Sequence, residues 1–371
     1  MRTEPAAPAG LRLAVVDGAS FVLPYDHGLV SGLAQRGWRV TLFASRTRYN
    51  GEFLDALRAE PGTEVRVFDI SGTVAPRWRG VWNYVRLWAE VWRRRREFDA
   101  VNLQFSILWP LEWLMAWALD RRFVFTLHNA TPHGFEGVRH RPTAALLARV
   151  NRVICPSRAT LAEVLQRYGP LPRATALPLG LMPVAPGEVP RPYGPMPAPQ
   201  ALVFWGNVMP YKGVDLLLAL AQDPAWRARG LPLEVHGAFA PDLRSLRDQL
   251  QAAGVTVVDR FLSADEQRAL FARPVVFVLP YTRATQSGAL YTLLHQGCRM
   301  LCTDTGDLGD FCRRHGLAHL LMAERSPAAT MAALDRLLQT PDAGAFNAAQ
   351  QACAWVQTLA EADTAYGLRK S

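Results

Sequence analysis

VFWGNVMPYKGVD, residues 203–215, is the stretch of this 371-residue sequence that decides its fold. An apolar run that ends at Gly206 predicts a strand, and the apolar pattern of residues 216–221 predicts a helix that Lys212 and Gly213 open. Free backbone N–H groups and the helix dipole favour anions at a helix start, and Lys212 would add a full positive charge. A phosphate is the expected ligand. The alternative is an ordinary strand–helix turn with a solvated lysine.

Two later stretches repeat the order of strand, loop and helix. Residues 275–280 predict a strand, and Ser287 and Gly288 lead into a helix after a short loop. Ser287 can cap that helix, and Gly288 lets the backbone approach a ligand closely. Residues 300–303 predict another strand, which ends in a loop that contains Gly306. We therefore expect three strand ends to converge on one phosphorylated ligand.

These motifs, taken in order, resemble the nucleotide-sugar half of GT-B glycosyltransferases, and glycosyltransferase family 4 in particular. The residues that carry the resemblance are Gly206, Lys212 and Gly213, the Ala-Thr-Gln-Ser-Gly loop at 284–288, Gly297, and residues 303–306. The similarity extends over most of the chain. It implies an α/β fold of GT-B type, in which two Rossmann-like parallel-sheet domains face a cleft. It also implies a hexosyltransferase-type enzyme whose donor substrate is a nucleotide-diphosphate sugar, with no cofactor and no metal.

The resemblance assigns donor binding to strand ends in the second half of the chain. His236 and Gly237 stand where relatives have a glycine loop close to the nucleotide, and Arg260 follows near the position that holds the base. The implied donor-binding residues are Gly206, Asn207, Lys212, Gly213, His236, Gly237, Arg260, Arg283, Gln286, Ser287, Gly288 and Gly306.

The sequence departs from the family pattern at two points. Relatives usually pair the lysine with an arginine a few residues earlier, where this chain has Asn207 or Met209, and Arg283 is the candidate replacement. The glutamate pair of retaining members is also absent. Gln286 and Thr292 stand in its place, as in relatives with a Thr-Gln-Ser-Gly loop. The resemblance favours a retaining reaction. An inverting reaction would need a carboxylate base near the acceptor, and the spacing of Asp17, Asp26 and Glu136 singles out none of them for that role.

Two aspartates follow the first predicted strand. Residues 11–16 form an apolar run that ends at Asp17, and Asp26 precedes a helix predicted over 27–35. The turn between them lacks Gly-x-Gly-x-x-Gly, which argues against a dinucleotide site. The resemblance turns this loop toward the cleft, so Asp17 and Asp26 are candidate catalytic residues that would contact the acceptor. The alternative is that they are only a strand-end and a helix-cap carboxylate.

His128 is the third candidate catalytic residue. It follows a strand predicted over 122–127 and matches the Thr-x-His position of the family, where the histidine reaches the donor sugar or its phosphate. Histidines in such loops also serve purely structural roles. His133 could donate a hydrogen bond nearby. Glu136 is another carboxylate that an inverting reaction could use.

Residues 77–96 combine tryptophans at helical spacing with an arginine cluster. Tryptophan buries an apolar body while one edge stays wet, and arginine attracts anionic headgroups. The pattern predicts a helix that docks on a membrane; the alternative is a helix packed on the sheet with a solvated basic end. The predicted docking residues are Trp78, Trp82, Trp88, Trp92, Arg93, Arg94, Arg95 and Arg96. The apolar segment 107–119 is too short to span a bilayer, which needs about 20 residues, and predicts a buried helix.

The net charge of +9 lies entirely in the first half of the chain. Residues 1–199 contain 25 of the 41 basic and 16 of the 32 acidic residues, so the remainder is neutral. Such asymmetry indicates an anionic partner, and without a nucleic-acid motif we expect an anionic membrane surface rather than nucleic acid. The five cysteines show no paired spacing, and the N-terminus has no apolar signal core. The expected location is cytoplasmic, peripheral at the inner face of the membrane.

The chain divides at a proline-rich segment. Residues 183–199 contain seven prolines and predict a linker between an acceptor-binding domain, residues 1–182, and a nucleotide-sugar-binding domain, residues 200–350. A helix is predicted over 346–368, and the resemblance implies that residues 351–371 cross back to the first domain.

The leading functional hypothesis is a peripheral glycosyltransferase that acts on a membrane-associated acceptor, such as a lipid-linked saccharide in surface-polysaccharide or glycolipid assembly. A noncatalytic GT-B subunit that binds a nucleotide sugar or a partner glycosyltransferase is one alternative, which the missing arginine and glutamates favour and the intact Lys212 and glycine loops oppose. A sugar-nucleotide epimerase is another, although it should carry more carboxylates in its cleft.

Overall fold

The computed structural model describes residues 10–20, 22–47, 51–130, 140–195, 197–340 and 343–368. The chain forms two compact units. Unit 1 consists of Met1–Gly180 with Ala354–Ser371, and unit 2 consists of Leu181–Cys353.

Unit 1 is built on a parallel sheet of seven strands in the order β3-β2-β1-β4-β5-β6-β7. The strands are β1 (Arg12–Asp17), β2 (Arg39–Ser45), β3 (Thr63–Phe68), β4 (Ala100–Leu103), β5 (Phe123–Thr126), β6 (Arg152–Cys155) and β7 (Ala174–Ala176). The helices are α1 (Leu23–Gln35), α2 (Gly51–Ala59), α3 (Arg77–Arg93), α4 (Trp109–Leu119), α5 (Arg141–Leu147) and α6 (Arg158–Tyr168). The chain reverses direction across the sheet between β1 and β4, which is where open α/β sheets bind ligands.

Unit 2 is built on a parallel sheet of six strands in the order β10-β9-β8-β11-β12-β13. The strands are β8 (Leu202–Trp205), β9 (Leu233–His236), β10 (Thr256–Val258), β11 (Val276–Leu279), β12 (Arg299–Thr303) and β13 (Leu321–Met322). The helices are α7 (Asp215–Gln222), α8 (Pro224–Arg229), α9 (Arg244–Ala252), α10 (Ala264–Ala272), α11 (Gly288–His295), α12 (Gly306–Arg314), α13 (Pro327–Gln339) and α14 (Ala343–Ala352). Its direction reverses between β8 and β11. The predicted α/β class with two Rossmann-like sheets is therefore confirmed.

The apolar runs form the centre of each sheet because both faces of a parallel sheet are covered. Leu13, Val15 and Val16 of β1 are fully buried, as are Leu202 and Phe204 of β8. In β1 the polar residues Arg12 and Asp17 stand at the two ends, and Asp17 at the carboxyl end is a candidate site residue.

The C-terminal segment differs from its prediction. The helix predicted over 346–368 is interrupted after α14, because the backbone at Ala354 is extended with φ −59° and ψ 139°. Two short helices follow and belong to unit 1: α15 (Trp355–Thr358) and α16 (Ala362–Tyr366).

The proline-rich segment 183–199 contains no helix or strand among its described residues. It belongs to unit 2 and is bonded to the rest of that unit, where Arg191 N donates to His295 O at 2.8 Å and Tyr193 N donates to Asn347 Oδ1 at 2.9 Å. Within the described ranges, every helix falls short of the length and apolar character that crossing a bilayer requires.

Candidate functional site

The loops after β8 and β9 in unit 2 are in backbone contact. Val208 N donates to Ala238 O at 2.9 Å, and Gly206 N donates to His236 O at 3.0 Å. A Cβ at Gly237 would lie 1.9 Å from Gly206 O, and φ at Gly237 is +155°. Only a glycine allows this approach, so the two glycine loops form one rigid strand-end structure.

Lys212 lies in a separate turn before α7. Gly213 adopts φ +65° after this turn, and α7 begins at Asp215. The expectation that Lys212 opens the helix is therefore corrected. The first turn of α7 has its own carboxylate, because Asp215 accepts hydrogen bonds of 2.9 and 2.8 Å from Arg325. This acid makes the start of α7 a poor phosphate site, which leaves the Lys212 side chain as the cation of this loop.

The loop after β11 interlocks with the Lys212 loop. Thr282 N donates to Tyr211 O at 2.9 Å, and a Cβ at Gly213 would lie 2.0 Å from Pro280 O. This contact brings the Lys212 Nζ to 3.8 Å from the ring centroid of Tyr281.

The loop after β12 joins the same structure. Thr303 Oγ1 donates to Tyr281 O at 2.6 Å, and Asp307 N donates to Ala284 O at 2.8 Å. A Cβ at Gly306 would lie 1.8 Å from Ala284 O. Three strand-end loops of unit 2 thus converge, as the sequence predicts.

Helix α11 begins beside this junction. Ser287 Oγ accepts from Leu290 N at 3.3 Å, so Ser287 is the predicted N-cap, and Gly288 is the first residue of the helix. The helix dipole therefore adds partial positive charge at the end of β11. Gln286 is half-buried in the preceding loop, whereas Arg283 and Asn207 are exposed.

Two predicted donor-binding side chains are engaged within the protein. His236 Nε2 lies 2.7 Å from Glu234, whose pKa is lowered to about 2, chiefly by two hydrogen bonds from Arg273. Arg260 forms a two-bond ion pair with Glu266 while its side chain stays more than half exposed. Their roles in donor binding stay predictions.

Asp307 is a residue of this region that sequence reasoning missed. Its side chain is 2% exposed in the first turn of α12, and Oδ2 has no hydrogen-bond partner in the described part of the chain. Burial raises the pKa of Asp307 to about 7. Its place directly after Gly306 was the available sequence indication, but sequence alone does not reveal burial.

Asp17 and Asp26 form a buried acid pair in unit 1. Asp26 lies within the first turn of α1, because the helix begins at Leu23, with Pro24 in its first turn, rather than at the predicted residue 27. Asp17 Oδ1 accepts from Ala19 N at 3.0 Å and from Ser20 N at 2.7 Å. Burial raises the pKa of both carboxyls. The pKa of Asp26 is raised well above its ordinary value, because the charge of Asp17 adds to the effect of burial. Asp26 thus carries the proton between them.

His128 lies at the end of β5, the strand that is paired with β4. Its Nε2 lies 2.9 Å from Gln104 Oε1, and its ring stacks on Phe105 at 4.4 Å. Tyr25 of α1 contacts the other side of the ring edge-on at 5.1 Å. The strand ends of unit 1 thus bring together Asp17, Asp26 and His128 with Gln104. His133 and Glu136 lie outside the described residues.

Two of the predicted membrane-docking residues are corrected. Trp88 is 1% exposed and stacks on Phe123 at 6.0 Å, because it lies on the side of α3 that packs on the sheet. Arg94 makes hydrogen bonds of 2.8 and 2.7 Å to Glu64, so its charge is satisfied within unit 1. Trp78, Trp82 and Trp92 are exposed, as are Arg93 and Arg96, and Arg95 stacks on Trp92 at 4.0 Å.

Helix α4 is also more exposed than predicted. Glu112 is buried and accepts from Tyr84 Oη of α3 at 2.6 Å, which joins the two helices. Trp113, Leu114 and Trp117 on its other side are exposed. Six of the eleven tryptophans of the chain are exposed, and all six lie on these two helices: Trp78, Trp82, Trp92, Trp109, Trp113 and Trp117. We call these six residues the tryptophan surface.

Sequence models of two families match the chain in order. Glycosyltransferase Family 4 matches residues 27–181, and Glycosyl transferases group 1 matches residues 199–340. A search of curated proteins by sequence gave no match.

Solved structures share the fold over the whole chain. The Anabaena protein Alr3699/HepE, solved with UDP and glucose, is 18% identical with a TM-score of 0.66 and coverage of 96% of this chain and 100% of that one. Sucrose-phosphate synthase from Thermosynechococcus elongatus is 16% identical, with a TM-score of 0.66 and coverage of 96% and 98%. WaaG, a glycosyltransferase involved in lipopolysaccharide biosynthesis, is 16% identical, with a TM-score of 0.54 and coverage of 96% and 97%.

Proposed function

Because the chain is a GT-B glycosyltransferase of the family 4 type, we propose that it transfers a sugar from a nucleotide-diphosphate donor to a membrane-associated acceptor. The proposed acceptor is a lipid-linked saccharide used in surface-polysaccharide or glycolipid assembly. The proposed reaction is retaining and independent of a metal, and it takes place at the inner face of the membrane.

The junction of three strand-end loops in unit 2 is the observation that carries the donor half of the proposal. It gathers Lys212, the start of α11 and the Gly306 loop at the carboxyl ends of neighbouring strands. Glycosyl transfer expels a nucleoside diphosphate, so the reaction is accelerated by cations and N–H groups aimed at the leaving phosphates. The Anabaena relative was solved with UDP and glucose, which makes a uridine donor the first to test.

The tryptophan surface supports the acceptor half. A monomeric protein rarely exposes so many large aromatic side chains on two adjoining helices unless they contact a partner or a membrane. Arg79 lies over Trp78 and Arg95 over Trp92, so cations accompany the rings. Aromatic rings at the headgroup level and arginines against anionic lipid are the pattern of an interfacial helix. WaaG, which shares the fold, is involved in lipopolysaccharide biosynthesis.

Donor binding is tested by thermal stability against UDP, GDP, ADP and their sugars. A ligand at about 100 times its dissociation constant adds roughly 2.7 kcal/mol to the folded state. We expect one nucleotide series to stabilise the protein and Lys212→Ala to abolish the effect. Absence of stabilisation by every nucleotide contradicts the donor half of the proposal.

Transfer is tested by incubating the protein, membranes and the identified donor labelled in its sugar. We expect label in the lipid extract, and none with Lys212→Ala. Donor binding without transfer to lipid or to any added saccharide would instead identify a noncatalytic subunit.

Membrane association is tested by flotation with vesicles of phosphatidylcholine alone or with phosphatidylglycerol. We expect flotation with the anionic vesicles, reduced about tenfold or more by the triple change Trp78→Ala, Trp82→Ala and Trp117→Ala, and weakened by salt. Val189→Ser with Val356→Ser is the matched control, because both are exposed apolar residues that belong to neither α3 nor α4. Equal flotation of the triple variant and the control contradicts docking through the tryptophan surface.

A further inference from the structure

Lys212 is an unusual choice of cation for this chain. Only Lys212 and Lys370 are lysines, and the other 39 of the 41 basic residues are arginines. An arginine keeps its charge at any physiological pH, whereas a lysine is a compact cation that loses its proton readily when buried. At position 212 the protein therefore has an ammonium group, whereas nearly all of its other basic side chains are guanidinium groups.

Two tyrosine rings face this ammonium group. The Nζ of Lys212 lies 3.8 Å from the ring centroid of Tyr281 and 5.2 Å from that of Tyr211. Both distances lie within the range of a cation–π interaction, and 3.8 Å is close contact with the ring face. The Lys212 side chain is thus held by aromatic faces on the side of β11.

Tyr281 is fixed from several directions. Its side chain is 1% exposed, and its carbonyl accepts from Thr303 Oγ1 of β12 at 2.6 Å. The ring of Tyr211 meets it edge-on at 6.3 Å. A ring held in this way offers the ammonium group one defined position, next to the start of α11.

We propose that Tyr281 is a positioning residue for Lys212, whose ring holds the ammonium group where the diphosphate of the donor binds. The inference rests on the proposed donor site. It concerns how Lys212 is positioned in a chain that lacks the arginine with which relatives usually pair this lysine. A cation held by a fixed ring loses less conformational freedom when it binds phosphate.

The burial of Lys212 gives donor binding a dependence on pH. Burial lowers the pKa of Lys212 to about 8, opposed in part by Tyr211. Burial raises the pKa of Tyr281, so that ring stays neutral at this pH. The charged groups near this turn include Asp215 and Arg325, which pair with each other, and Arg325 also donates to Gly213 O at 3.3 Å. In the free protein the ammonium group therefore loses its proton above about pH 8.

The first experiment measures UDP affinity by calorimetry at pH 7 and pH 9. If only the ammonium form binds diphosphate, affinity should fall about tenfold between these values for a group with a pKa near 8. Lys212→Arg should remove this fall, because the guanidinium keeps its charge. An equal fall of UDP affinity between pH 7 and pH 9 in the unaltered protein and in Lys212→Arg contradicts the assignment of the pH dependence to Lys212.

The second experiment compares substitutions of Tyr281. Tyr281→Phe keeps the aromatic face and should retain UDP affinity at pH 7, whereas Tyr281→Leu should weaken it about fivefold, which is the scale of one cation–π contact. Tyr193→Leu is the matched control, since it removes another buried ring of unit 2 that stacks on Phe346. Equal UDP affinity of the Phe and Leu variants at position 281 contradicts the proposal.

The third experiment observes Lys212 directly and does not depend on nucleotide binding. In a Lys370→Arg background Lys212 is the sole lysine, so selective isotope labelling gives a single side-chain NMR signal. We expect an upfield ring-current shift of its Cε resonance and a midpoint near pH 8. The shift should disappear in Tyr281→Leu and persist in Tyr281→Phe. If the Cε resonance of Lys212 is unshifted while Tyr281 is unaltered, the inference is overturned. If the resonance is shifted but no nucleotide binds, only the proposed function is contradicted.

Discussion

At the scale of single residues, the buried carboxyls of Asp17 and Asp26 contribute to how the stability of unit 1 depends on pH. Asp17 and Asp26 are almost fully buried. Backbone N–H groups donate to one of their four carboxyl oxygens, and the other three have no hydrogen-bond partner among the described residues. A group whose pKa is raised by folding costs stability as pH rises, because the unfolded state releases its proton first. Both aspartates therefore oppose folding above their ordinary pKa range.

Asp26→Asn should stabilise unit 1 at neutral and higher pH. The amide keeps a hydrogen-bond donor toward Asp17 and cannot ionise, so we expect a gain of about 1–3 kcal/mol at pH 8 and little gain at pH 4. Asp17→Asn is the matched variant. It should stabilise less, because Ala19 N and Ser20 N donate to Asp17 Oδ1 and a neutral amide oxygen accepts these hydrogen bonds more weakly than a carboxylate. Urea unfolding at the two pH values measures the difference, and equal effects of the two variants would contradict the assignment of the proton to Asp26.

A glycine at the donor-site junction makes a second residue-scale prediction. Gly306→Ala should destabilise unit 2, because φ is +45° and the new methyl group would meet Ala284 O at 1.8 Å. Gly230→Ala has a similar φ of +67° but open space, and should cost only about 1–2 kcal/mol. We expect Gly306→Ala to cost at least about 2 kcal/mol more in urea unfolding. Similar losses of unfolding free energy in the two variants would mean that the loops at the junction accommodate the methyl group without strain.

At the scale of elements, hydrophobic periodicity predicted the sheets and most of their boundaries. Strands β1 and β12 and helix α7 lie within one residue of the predicted ranges 11–16, 300–303 and 216–221, because the apolar runs stop at polar positions such as Asp17. Helix α3 shows where the pattern misleads. Trp88 lies about 80° around the helix from Trp78, toward the buried Tyr84, Leu87 and Val91, so counting tryptophans assigned it to the wrong face.

The two faces of α3 should separate in a stability measurement. Trp88→Ala removes a ring that is 1% exposed and packed on Phe123, so we expect a loss of about 3–5 kcal/mol. Trp82→Ala removes a ring that is 60% exposed and should change the free energy of unfolding by less than about 0.5 kcal/mol. Chemical unfolding of the two variants provides the comparison. A large loss in Trp82→Ala would mean that the tryptophan surface is part of the core.

At the scale of the whole molecule, a distant segment completes the site of unit 1, and the sequence does not display this contact. The Tyr366 hydroxyl donates to Asn102 Oδ1 at 3.0 Å, and Gln104 Nε2 donates to the same oxygen at 2.7 Å. Gln104 in turn contacts His128. The C-terminal segment thus supports the polar network at the strand ends of unit 1. Periodicity could predict His128 at a strand end, but a contact 264 positions apart leaves no local pattern.

The packing of Trp355 on α1 yields a coupled prediction. A Cβ at Gly28 would lie 1.9 Å from the Trp355 ring, so Gly28→Ala should destabilise unit 1 by about 1–3 kcal/mol. In a Trp355→Ala background the obstacle is gone, and the same change should instead stabilise by up to about 1 kcal/mol, because alanine favours a helix interior more than glycine. A double-mutant cycle in urea measures the sign change. Gly32→Ala is the comparison, since its nearest atom is the more flexible Leu359 side chain at 2.6 Å. Additive effects of the changes at 28 and 355 would mean that the C-terminal segment does not hold α1.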